Sequence, residues 1–240
     1  MSATRNIMTS CLFSMPYIGY QPANVSNGEP AVTAANLTKQ TILGAPFKWA
    51  WNRAQQTLQL DPFATSWPQD NTVTLPDYGF VEQAWLTDQD TGKVAEIKIK
   101  NSLAAESSMQ RPASVSVQTD DGDGNLLIRL NTIPDKAYAI DFYYQMAPRY
   151  VSSLASLWKP IPDHLSYIYD WIFLGFMGML TRDARAGQFL AKGVAHLLGA
   201  QDGLTALQRN IFLGNWLDVM NQQGREQLAT QQGAQARGAS

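Results

Sequence analysis

The strongest constraint on this chain is a change in apolar spacing close to Pro148. Upstream of it, short runs alternate apolar and polar residues in the strand period. Phe47-Lys-Trp49-Ala-Trp51, Ala95-Glu-Ile97-Lys-Ile99-Lys100, Ser114 to Thr119, Leu126 to Leu130 and Ala137 to Tyr144 all read as strands. Turn residues separate them at Asp61-Pro62, Asp88 to Gly92, Asp120 to Asn125 and Pro134-Asp135. Short strands at this spacing predict an antiparallel sandwich or barrel-like region over 47–148.

Downstream the period becomes helical. Asp163, after Pro160-Ile-Pro162, is a candidate N-cap for a helix running to Leu180. A second helix is predicted from Asp183 to Leu198, closed by Gly199, and a third from Leu204 to about Met220. One more precedes the strands, from Ala31 to Leu43, where Gly44 and Pro46 supply the stop. Residues 1–30 carry Pro16, Gly19, Pro22, Gly28 and Pro30, and read as an extended arm. Residues 223–240 lack apolar periodicity and read as a flexible tail. The expected fold is α+β: a four-helix bundle from 31–46 and 149–222, interrupted by the antiparallel β-rich insertion 47–148. Segments far apart in sequence can share one core because insertion points often lie close together.

Chemistry is scarce in the pattern. Cys11 is the sole cysteine and His164 and His196 the sole histidines, which excludes an internal disulfide and the usual Cys/His zinc sites. The run Asp120-Asp-Gly-Asp-Gly-Asn125 suggests calcium. An EF-hand loop opening at Asp121 would place Gly and Glu where Leu126 and Thr132 stand, so a hairpin turn is the better reading. Asp163, His164 and Asp170 form no acid–base pair, since adjacent helical positions diverge. His196, within an apolar helix, reads as a packed residue. Neither a Gly-x-Ser-x-Gly elbow nor a glycine-rich phosphate loop occurs. No metal, cofactor or catalytic site is expected, and an enzyme is the weakest reading.

Composition matters at this point. Charged residues make up 16% of the chain, against roughly 25% in ordinary soluble domains, while seven Trp, nine Tyr and nine Phe are present. Aromatic enrichment with charge depletion is the signature of surfaces buried against other proteins. The net charge of −2 and the lack of a basic stretch speak against direct nucleic-acid binding. The most apolar run, Trp171 to Leu180, is about half of the ~20 residues a membrane span requires. The first residues lack the pattern of a signal peptide. Trp49, Trp51 and Arg53 form the densest candidate for a partner interface: the rings as anchors, the guanidinium at the edge.

A series of motifs then appears in order: Thr41-Ile-Leu-Gly-Ala-Pro-Phe-Lys-Trp-Ala-Trp-Asn-Arg53, Tyr78-Gly-Phe-Val-Glu82 leading a strand, Gly92-Lys93, Arg111-Pro112, Pro134-Asp135-Lys-Ala-Tyr138, Tyr143-Tyr-Gln-Met-Ala-Pro148, Trp158-Lys-Pro-Ile-Pro-Asp163 and Arg182-Asp-Ala-Arg185. Over about residues 31 to 215 the series resembles the head–tail adaptor, or head-completion, proteins of tailed bacteriophages. The resemblance implies a ring of identical subunits, twelve in number, docked beneath the portal protein in the virion neck. It implies contact with a tail or nozzle protein, with genomic DNA passing through without sequence-specific binding, and host cytoplasm as the place of assembly. It implies a C-terminal extension reaching the portal, which by position is 223–240 with Arg225 and Arg237. A tail-terminator or other tail-proximal ring protein is the alternative. A carbohydrate-binding module using Trp49, Trp51, Trp67 or Trp85 as sugar platforms is a more distant one.

Overall fold

Alternation becomes a sheet wherever one face can be buried. The seven strands are β1 (Arg53–Leu60), β2 (Asp70–Thr74), β3 (Tyr78–Asp88), β4 (Val94–Ile99), β5 (Ser114–Asp120), β6 (Asn125–Leu130) and β7 (Tyr138–Met146). The computed structural model in which they are seen describes residues 4–20, 28–60, 62, 70–100, 108–120, 125–201 and 204–211. They form one sheet in the order β1-β7-β3-β4-β5-β6-β2, curled into a nearly closed barrel in which β1 and β2 approach each other. Period-2 burial fixes its inside: Tyr138, Ile140, Phe142 and Tyr144 of β7 face Leu126, Ile128 and Leu130 of β6 across a common core. All neighbouring pairs are antiparallel except β4 and β5, which run parallel through Lys98↔Ser114 and Ile99↔Val115.

Four α-helices are described: α1 (Ile7–Ile18), α2 (Ala31–Leu43), α3 (Ser166–Leu180) and α4 (Ala186–Gly199); residues 206–211 are also helical. Helix α3 is apolar all round and is buried on nearly every face, so it becomes the hub. The other three pack on it, while α1 and α2 barely touch each other. Close approach to α4 depends on glycine. A Cβ at Gly175 would stand 2.3 Å from Leu190 Cγ, and one at Gly193 would stand 2.7 Å from the Ile172 backbone nitrogen.

The expected four-helix bundle with an antiparallel insertion is therefore not the fold. A bundle places four helices around a shared seam, whereas here one helix is central and three surround it. The strand region is a barrel with a core of its own, separate from the helical core, and one of its ladders is parallel. Residues 7–18, read as part of an extended arm, are helical and contribute Ile7 and Cys11 to the helical core. Asn6 caps this helix by accepting from the Thr9 amide at 3.0 Å, and Gly19 ends it at φ 66°. The strand expected at Phe47–Trp51 is irregular, with a 3-10 turn at Ala50–Asn52, because Phe47 and Trp49 are anchored in the helical core. The 223–240 tail and the third helix beyond Ile211 lie outside the described residues.

A strap and a joint complete the architecture. The strap is residues 4–8: the amides of Ile7 and Met8 donate to Ser156 and Leu154, and Trp158 donates back to the Arg5 carbonyl. The joint is the segment 147–151 leaving β7. Asn36 holds Val151 by both its amide and carbonyl at 2.8 and 3.1 Å. Lys39, 2% exposed, donates its ammonium to the Arg149 carbonyl, and the Arg149 side chain pairs with Asp77.

Candidate interaction surface

The residues singled out by sequence hold the two lobes together. Trp49 is buried, donating its indole N–H to the Ile42 carbonyl at 2.7 Å. Its backbone is gripped by Gln145, which accepts from the Trp49 amide and donates to its carbonyl. Trp51 is half-buried and tilts against Trp49 at 5.1 Å. Arg53 forms a two-point pair with Glu82 at 2.9 and 2.6 Å. Burial pushes the Glu82 carboxyl up, but the hydrogen bonds from Arg53 and Gln145, with the Arg53 charge, hold it below the usual range. These groups thus meet one another at the lobe junction. Arg225 and Arg237 lie outside the described residues, as does Trp67; Trp85 is half-buried on β3.

The acidic residues near His164 are committed elsewhere. Asp163 does not cap its own helix; it accepts from the amides of Thr4 and Arg5 and from the Thr4 hydroxyl. Asp170 accepts from Arg5 at 2.8 Å and from Ser10 at 2.6 Å, and Ser10 in turn receives the Trp158 indole N–H at 2.9 Å. Burial raises the Asp170 carboxyl despite these bonds. His196 stands edge-on to Tyr167 at 5.5 Å. Among the described residues no group of three His, Cys, Asp or Glu could hold a metal ion, and no helix is long and apolar enough to cross a membrane.

A different surface has the physical character of an interface. Helix α1 carries no charged residue. One side of it, Ile7, Ser10, Cys11 and Ser14, is buried at helical spacing. Leu12 (57% exposed) and Met15 (42%) face outward on one flank of it, and Tyr17 (36%) on the other. On the flank of Tyr17, Phe13 and Tyr17 meet Trp171 of α3 edge-on at 5.4 and 5.5 Å, and Tyr17 meets Phe189 of α4 at 5.8 Å. Cations border this cluster. The Lys192 ammonium lies 3.5 Å from the centre of the Trp171 ring, and the Arg185 guanidinium 5.6 Å from that of Phe189. Arg185 also pairs with Asp183 and donates to the Tyr17 carbonyl, which ties the end of α1 to the start of α4.

A ring cluster with a cationic border on one flank, and bare aliphatic tips on the other, suit protein recognition. The sequence does not reveal this helix, because Pro16 and Gly19 mark a loop in local punctuation. The signals that could have found it were Asn6 as a cap and the 7, 11, 14 spacing that follows. Neither the known protein-family models nor the curated proteins give a match to this chain.

Proposed function

We propose that this chain is a structural virion protein of a tailed bacteriophage, forming an adaptor ring between the portal and the tail and continuing the DNA channel. The observation that carries the reading is helix α1, uncharged along its length, with Leu12 and Met15 exposed on one flank and the aromatic cluster on the other. Burying such a face against protein releases ordered water at roughly 25 cal/mol per Å² of apolar area. Charge depletion of the chain favours the same kind of partner. The ordered motifs from Thr41 to Arg185, which resemble those of that family, support the same reading. The bundle is no part of this proposal; a strand lobe and a helical lobe on one chain remain.

The test is the mass of the purified protein in solution, alone and after mixing with its portal ring. Joining the portal at a fixed ratio per subunit is the expected result. A self-formed ring that ignores the portal would overturn the adaptor assignment and favour a tail-side ring protein.

A further inference from the structure

Helices α3 and α4 carry a strip of rings and cations along their shared outer edge. Arg185 opens α4, and Phe189, Lys192 and His196 follow at steps of four, three and four, which puts all of them on one side. On α3, Tyr167 and Trp171 stand one turn apart and face them. Tyr167 meets His196 edge-on at 5.5 Å, and Trp171 meets Phe189 at 6.3 Å. At 1.5 Å per residue the strip runs about 16 Å along α4. Lys192 lies over the Trp171 ring and Arg185 over that of Phe189, so each cation is held in place by an aromatic neighbour.

Acids are kept off this strip. Helices α1 and α4 contain none, and the single acid of α3, Asp170, is buried against Arg5 and Ser10. Asp183, in the turn between α3 and α4, is taken by Arg185. Among the described residues no carboxylate pairs with Lys192, whose side chain is exposed. Tyr167, at 45% exposure, adds an open apolar body at one end. The strip therefore offers a fixed, unneutralised positive charge among half-buried rings. A nucleic-acid strand would need a row of open ring faces for its bases. Here Phe13 and Tyr17 crowd Trp171 edge-on while Lys192 covers its face, and that row does not exist.

We propose that the α3–α4 strip receives an acidic segment of the protein partner, with carboxylates meeting Lys192 and Arg185 and apolar groups resting among the rings. The inference rests on the adaptor reading, in which that partner is the portal ring. Charge complementarity commits the occupant: a positive strip with no acid of its own selects a negative partner and repels a positive one.

The experiment measures binding of the full-length chain to the portal ring in three variants beside wild type. Lys192→Met keeps the aliphatic stem over the ring and removes the charge. Lys192→Glu reverses the charge, and Lys93→Glu does the same at an exposed site on the barrel turn between β3 and β4. Both lysines are exposed, so the variants should fold, which circular dichroism checks. The expected result is wild-type binding that weakens as salt rises from about 50 to 300 mM. Lys192→Met should bind less tightly, Lys192→Glu at least about tenfold less tightly, and Lys93→Glu as wild type does. Wild-type affinity in Lys192→Glu overturns the inference and leaves the adaptor reading standing. Equal loss in Lys93→Glu overturns it as well, since the charge effect then belongs to no particular site. Binding of an oligo-dT strand of about 20 nucleotides that Lys192→Glu abolishes assigns the strip to nucleic acid instead. Self-association of wild type that Lys192→Glu abolishes assigns it to a second copy. Wild type that ignores the portal removes the adaptor reading and this inference with it.

Discussion

Lys39 gives the sharpest prediction. Its side chain is sealed inside the joint at 2% exposure, with the Arg149 carbonyl as hydrogen-bond acceptor and the Arg149 guanidinium as a further cation nearby. Burial, aided by that like charge, lowers its pKa from 10.5 to about 8. At about 1.4 kcal/mol per pKa unit, holding the ammonium there costs the folded state at most about 3 kcal/mol. Replacement by methionine keeps the length and removes the charge. It also strands the Arg149 carbonyl, at about 1–2 kcal/mol. Lys39→Met should therefore be about 1–2 kcal/mol more stable than wild type at pH 7. The pH dependence has a definite sign. Below pH 8 the lysine is protonated in both the folded and unfolded chains, and the cost is present in full. Between pH 8 and 10.5 the unfolded chain binds the proton more tightly, so wild-type stability rises with pH and the variant's advantage vanishes. Urea unfolding of both proteins across that range measures the difference directly. A difference that stays constant from pH 7 to 10.5 refutes the reasoning.

Gly193→Ala should cost about 2–3 kcal/mol, read as a drop in melting temperature, because the added methyl would press on the Ile172 backbone. Gly199→Ala, with nothing within 4 Å of the new carbon, should be neutral or raise stability by up to about 0.5 kcal/mol. Asp170→Ala removes the acceptor shared by Arg5 and Ser10 and should cost about 3 kcal/mol. Hydrogen exchange should then speed up first at the amides of Ile7, Met8 and Trp158, and uniform acceleration across the helical lobe would contradict a local strap.

How far the sequence could be read depended on where each element's apolar groups point. Strand β6 and much of β7 were legible because alternation there coincides with burial inside the barrel, as Leu126, Ile128 and Leu130 illustrate, whereas β4 buries only Ile97. Strand β1, Arg-Ala-Gln-Gln-Thr-Leu-Gln-Leu, was not, because an edge strand with an exposed outer face needs few apolar residues. The Phe47–Trp51 run misled for the opposite reason: its spacing mimics a strand while Phe47 and Trp49 serve the helical core. Helices α2 to α4 were located from period and stop signals, but their number could not reveal that α3 would be the hub. The α1 face stayed hidden because helical placement of Pro16 depends on a cap and on tertiary contacts, which local punctuation does not encode. The residues Trp49, Trp51 and Arg53, read from the sequence as a partner interface, engage Gln145, Ile42 and Glu82 within the chain.

The strap also dictates an order of events on the ribosome. Arg5 and Ser10 wait for Asp170, a partner 165 and 160 positions further along the message. Every strand of the barrel has been synthesised by Met146, so the barrel can close as a unit while the helical lobe still lacks its hub. The residues made first are thus among the last to find cover. Until then the apolar side chains of α1 travel exposed on the nascent chain, and a translation product that stops short of α3 would carry them unburied.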